Sequence, residues 1–163
     1  MKPILIFDFD LKSDLNNWKI VNDAVMGGKS QSKFYLNSDG FGTFEGSVSL
    51  ENNGGFCSVK YVCEPIHLTD AKHICIRLKG DSKQYQFRVK PHQTDSHSYV
   101  FLFQTNTDWQ TIEIPISELY AVFRGQKLDL PNYDGSNLEE IAFLIGNKQE
   151  ETFRLIINSV EVK

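Results

Sequence analysis

Apolar and polar residues alternate with a period of two along most of this chain. Phe44, Gly46, Val48 and Leu50 interleave with Thr43, Glu45, Ser47 and Ser49. Ile74, Ile76 and Leu78 alternate with His73, Cys75 and Arg77, and Tyr85, Phe87 and Val89 with Gln84, Gln86, Arg88 and Lys90. The pattern returns at Ile141, Phe143 and Ile145 and again at Phe153, Leu155 and Ile157. Such alternation predicts strands with one face in a core and the other in water or a groove. From Trp109 to Ile114, Trp109, Thr111 and Glu113 oppose Gln110, Ile112 and Ile114. The run Ser98 to Phe103 is apolar on both parities, which predicts a central strand covered on both faces.

Turn chemistry separates these runs. Asn52-Asn53-Gly54-Gly55 lies between two strand-like segments and predicts a hairpin, because Asn-Gly tolerates positive φ. Gly27-Gly28, Asp39-Gly40, Gly80-Asp81 and Asp134-Gly135 mark other breaks. Helical periodicity is confined to one short turn near Ser117 to Tyr120, with Ser117 as its cap. Ala121 to Asn137 reads as the longest irregular segment, a surface excursion. Many short strands with Gly-rich turns predict an all-β chain, a β-sandwich or jelly roll. With 163 residues and no linker or repeat, residues 1–163 form a single domain.

Composition narrows the function classes. The net charge is -4 and like charges form no long block, so the chain lacks the clustered Lys and Arg that nucleic acid requires. The three cysteines, Cys57, Cys63 and Cys75, cannot all pair internally and form no CxxC, which suits a reducing compartment. The N-terminal apolar run is broken by Asp8 and Asp10, and no stretch approaches the roughly 20 apolar residues of a membrane helix. These features predict a cytoplasmic location.

Few motifs carry chemistry. Asp8 and Asp10 follow an apolar strand, an arrangement in which two carboxylates can share Mg²⁺ and divide nucleophile and acid/base roles in phosphate hydrolysis. Leu11 and Lys12 do not fit the phosphatases that use it, and the alternating helices of that fold do not follow. The histidines are scattered, and no nucleophile elbow, dinucleotide fingerprint or P-loop occurs. No catalytic residues are assigned, and no cofactor or metal is indicated.

The segment Trp18 to Ser32 is more informative. Asp23 sits where its carboxylate could hold backbone N–H groups, either as a structural turn or beside a binding site. Val25 or Met26 would face the core, and the Gly27-Gly28 pair permits a close approach. Arg88 shares a strand face with Gln84, Gln86 and Lys90, which is either a wet groove or an ordinary solvent face. Trp109 lies on the polar parity of its strand, either to stack on a sugar or partner or to cap the core edge. Arg124-Gly125 after Phe123 supplies another exposed cation.

In order, these segments resemble the complex I intermediate-associated protein 30 family. Trp18, Asn22-Asp23, Val25-Met26-Gly27-Gly28 and Ser30 resemble its opening signature. Gly42-Thr43-Phe44, Gly46, Asn52 to Phe56, Ser58-Val59, Gly80-Asp81, Tyr85, Trp109, Ile114-Pro115 and Phe123-Arg124-Gly125 continue it. Ala24, Cys57 and Lys60 depart from the usual Gly, Ala and Arg. The resemblance implies a galactose-binding-domain-like sandwich that binds proteins, as respiratory-complex assembly factors do, without catalysis. A structural Ca²⁺ occurs in some sandwiches of this type. The expected function is therefore a protein-binding assembly module with a site drawn from Asp23, Asn53, Arg88, Trp109 and Arg124. The alternatives are a carbohydrate-binding module using Trp109, Tyr85 and Tyr99, and the Asp8/Asp10 hydrolase.

Overall fold

The computed structural model describes residues 4–23 and 27–163, with Asn53 described by its backbone alone. Val25 and Met26, expected in the core, lie outside the described residues. The strands are β1 (Ile4–Asp8), β2 (Trp18–Ile20), β3 (Gln31–Leu36), β4 (Gly42–Val48), β5 (Cys57–Ile66), β6 (His73–Lys79), β7 (Gln84–Lys90), β8 (Ser98–Gln104), β9 (Trp109–Pro115), β10 (Tyr120–Phe123), β11 (Gln126–Lys127), β12 (Leu138–Ile145) and β13 (Glu151–Val162). They form two antiparallel sheets, a β-sandwich. The six-stranded sheet runs β3-β4-β13-β6-β9, with β1 on β13. The seven-stranded sheet runs β11-β10-β8-β7-β12-β5-β2.

The alternation dictates which face each strand turns inward. Ile74, Ile76 and Leu78 on β6, Phe44 on β4, and Leu155 and Ile157 on β13 face Val59, Tyr85, Phe87, Ile141 and Phe143 of the opposing sheet, all within one core. Burying one such side chain fully is worth roughly 1.5–3 kcal/mol, so this interior supplies the main driving force for folding. Tyr85 brings a hydroxyl into that interior and satisfies it on Asp81 Oδ1 at 2.9 Å. One end of the sandwich is closed by aromatic rings. Trp18 stacks between Phe34 and Tyr61, with centroids 4.9 and 4.8 Å away.

Several local expectations need correction. The Asn52–Gly55 segment is no hairpin, because β4 and β5 belong to different sheets. It is a 3₁₀ turn over Glu51–Asn53, with Asn52 at φ 55, that carries the chain across the sandwich. The turn near Ser117 is likewise 3₁₀, spanning Ile116–Glu118, and Pro115 rather than Ser117 precedes it with no side-chain cap. The segment after Ala121 is not wholly irregular. Arg124 (φ 50) and Gly125 (φ 78) form a two-residue turn joining β10 to β11. Positive φ at both central residues gives the twist a tight hairpin needs. Strand β8 is not covered on both faces, since Leu102 is 43% exposed on the outer side.

Candidate functional site

The outer face of the seven-stranded sheet can be read row by row from its register. Tyr120 pairs with Val100, Val100 with Arg88, Arg88 with Ala142, Ala142 with Lys60, and Lys60 with Lys19. The adjacent row carries Leu102, Gln86, Leu144 and Ser58. All have the parity opposite to the core residues, yet Val100, Ala142 and Leu144 are buried. Longer neighbours rise beside Val100 and leave a groove of about 420 Å³ lined by Gln86, Arg88, Val100, Leu102, Tyr120, Val122, Gly125 and Lys127.

Arg88 is the unusual member. It is half-buried, and its Nε and Nη2 both donate to the neutral Gln86 Oε1, at 3.0 and 2.8 Å. Among the described residues no carboxylate pairs with it. Burial lowers the guanidinium below its ordinary value. A charge withdrawn from water is costly unless an opposite charge or a full set of acceptors meets it. The face around it is also basic. Lys60 reaches Glu140, at 3.7 Å, and Lys19, Lys90 and Lys127 add further positive charge.

Asp23 does something different. Fully buried, it accepts from Ser30 N (3.0 Å), Ser30 Oγ (2.5 Å), Gly55 N (2.7 Å) and Phe56 N (3.3 Å). It thereby binds the β2–β3 loop to the crossing between sheets. Burial alone would raise its carboxyl, but the Ser30 hydroxyl and the Gly55, Ser30 and Phe56 amides outweigh this and hold it below the usual value. Gly28 and Gly54 are explained by the same carboxylate, because a Cβ at either position would collide with it. Asn53 closes the 3₁₀ turn beside this staple.

The five expected residues therefore do not form one site. Trp109 lies on the outer face of the six-stranded sheet, opposite Lys79, with its ring edge-on to Phe41 and under the Arg77 guanidinium. Arg124 occupies the β10–β11 turn, exposed and stacked over Phe123, near the rim of the Arg88 groove. Tyr85 and Tyr99 point into the interior, where Tyr85 is fully buried and Tyr99 packs against Tyr133. Asp8 and Asp10 are exposed, and Asp10 Oδ1 accepts Lys12 N at 2.7 Å within its own turn. What sequence reasoning missed was the outward row on β8 and β12. Its signal was present as apolar residues on the polar parity, Val100, Leu102, Ala142 and Leu144.

A larger groove, about 740 Å³, crosses β3, β4 and β13 on the other sheet. Its charges already satisfy one another. Glu45 takes the Tyr35 hydroxyl at 2.8 Å, Arg154 Nε at 2.7 Å and Lys33 at 3.4 Å, while Asp81 takes Arg154 N and Lys83. Size alone does not make it the better candidate. Among the described residues no His, Cys, Asp or Glu cluster is placed to hold a metal, and no helix is long and apolar enough to cross a membrane.

The family model described as Complex I intermediate-associated protein 30 (CIA30) matches residues 7–157. In structure the chain is similar to the family 11 carbohydrate-binding module of the cellulosomal cellulase Lic26A-Cel5E of Clostridium thermocellum. That match has a TM-score of 0.74 at 17% identity and covers 99% of this chain and 94% of that one. The family 11 module from Clostridium thermocellum in complex with a β-1,3-1,4-mixed-linked tetrasaccharide gives a TM-score of 0.73 at 18% identity, covering 98% and 94%. A module specific for non-crystalline cellulose gives 0.60 at 7% identity, covering 98% and 94%. At such identities the likeness is one of fold.

Proposed function

This chain belongs to the complex I intermediate-associated protein 30 family, and from that premise we propose that it is a non-catalytic protein-binding module whose contact surface is the outer face of the seven-stranded sheet. The observation that carries the reading is the half-buried Arg88, set over an apolar floor with no carboxylate paired to it among the described residues. Leu102 and Val100 supply the floor, and polar side chains surround it. An apolar centre with a polar rim and a central arginine is the usual anatomy of a protein interface.

The structural neighbours favour a second reading, a carbohydrate-binding module. Sugar recognition on a sheet face relies on aromatic rings that stack on pyranose faces. Tyr120 is the aromatic of the Arg88 row, and the Lys127 ammonium lies over its ring at 5.5 Å. The stacking candidates expected from the sequence are in the core or on the other sheet. This weighs toward a protein partner.

The test is quantitative co-purification from the source cells with four variants of the full chain. Arg88→Glu and Leu102→Asp should lose partners that Trp109→Ala and Thr111→Asp retain. Equal retention by all four, or loss confined to Trp109→Ala and Thr111→Asp, would refute the assignment of the face.

A further inference from the structure

The Arg88 row also constrains what the partner must offer. Arg88, Lys60 and Lys19 stand in one register row on β7, β5 and β2, with only Ala142 of β12 between the first two. Adjacent strands are about 4.8 Å apart, so the three cations span roughly 14 Å across the sheet. An extended chain covers that distance in about five residues. Glu140 is the one acid in the neighbouring row, already shared with Lys60, and Glu64 lies farther along β5, within the irregular stretch between Val62 and Ile66. The whole chain carries net charge -4, so this basic row is a local concentration against the average.

Building on the sheet-face reading, we propose that the partner is a protein presenting an extended acidic segment that runs across the strands along this row, seating one carboxylate on Arg88. The Arg88 fork can turn from Gln86 to take a carboxylate in bidentate fashion, a stronger bond than its present neutral one. A second carboxylate meets Lys60 and Lys19. Apolar side chains of the same segment rest on Val100, next to Arg88 in the row, and on Leu102 and Val122 in the rows to either side. Lys127 extends the positive rim beyond Tyr120.

The experiment uses the full chain labelled with ¹⁵N and a capped seven-residue peptide alternating Glu and Leu. Its counterpart with Lys for Glu, an oligogalacturonate, and a mixed-linkage β-glucan tetrasaccharide serve as the other probes. The acidic peptide should shift amides of β7, β12 and β5, and its affinity should fall as salt is raised. Arg88→Gln should weaken it roughly tenfold or more, the loss expected for a charge-assisted bond. Arg88→Lys should fall between, because an ammonium lacks the fork. Lys19→Gln, at an exposed position on the same row, should weaken binding without any risk to the core. Trp109→Ala should bind as the parent does. Equal binding of the Lys peptide, indifference to both Arg88→Gln and Lys19→Gln, or no binding of the acidic peptide would overturn the proposal. Preferential binding of oligogalacturonate or the glucan along this row would also overturn it, in favour of a glycan ligand. If the acidic peptide fails while co-purification still depends on Leu102, the acidic segment is wrong and the sheet-face reading stands. If both fail, the reading itself falls.

Discussion

Replacing Asp23 by alanine should be among the most damaging single changes in this protein. The carboxylate is completely buried and accepts four hydrogen bonds from Ser30, Gly55 and Phe56. The Ser30 hydroxyl has a second acceptor in Ser49 O at 3.2 Å, so it can be re-satisfied. The three backbone N–H groups lose their acceptor, and Ser30 is itself buried. A hydrogen bond to a charged group contributes roughly 1.5–3 kcal/mol, and such bonds are not additive, so the expected loss is about 3–5 kcal/mol. Urea unfolding followed by Trp fluorescence measures it. With a slope of about 2 kcal/mol per molar for a domain of this size, the midpoint should fall by roughly 1.5–2.5 M with little change in slope. Asp23→Asn, which keeps volume and one acceptor oxygen, should lose about half as much.

The pH dependence gives an independent sign. The folded carboxyl titrates below its ordinary value. Its stabilisation is therefore present above the unfolded value, near 4, and disappears as pH falls through the folded one. Asp23→Asn should flatten that part of the acid limb and leave the neutral plateau uniformly lower. A loss under about 1 kcal/mol, or an unchanged acid limb, would refute the staple.

Other consequences can be checked with the same material. Gly54→Ala should destabilise by about 1–3 kcal/mol through collision with the Asp23 carboxylate, and much less in an Asp23→Ala background, as a double-mutant cycle would show. Gly125→Ala meets nothing within 4 Å, so its cost should be the roughly 1–2 kcal/mol of placing alanine at positive φ, with no coupling to Asp23. Glu45→Ala removes the shared partner of Tyr35, Arg154 and Lys33 on a partly solvated face, and calorimetry should find a loss of about 1–2 kcal/mol that shrinks in high salt. Burial pushes the Cys57 and Cys63 thiols up to about 11. Disulfide-reagent labelling at pH 8 should leave both nearly unreactive until the chain unfolds.

The strands were legible because their signal is local. Ile74-Cys75-Ile76 or Tyr85-Gln86-Phe87 states the inward face in its own alternation, and β6 and β7 obey it. Which sheet a strand joins is not local. Asn52–Gly55 looks like a hairpin until β4 and β5 are found in opposite sheets, and the Asp23 carboxylate, 32 residues from Gly55, holds the turn adopted there. The candidate site suffered from the same limit. Arg88 and Trp109 both lie on polar parities of strands, but parity says nothing of which of two outer faces is meant, and they point away on opposite sides. Val100 and Leu102 read as a doubly covered strand, yet a groove floor gives the same sequence pattern.

The central claim is that the outer face of the seven-stranded sheet receives the partner. A photo-crosslinking amino acid placed at position 102, and in a separate chain at position 111 on the other outer face, tests it most directly. Position 102 should yield one discrete cross-linked protein in the source cells, lost when Arg88→Glu is added, while position 111 yields none. Cross-linking at 111 alone, or at 102 undiminished by Arg88→Glu, would contradict the account.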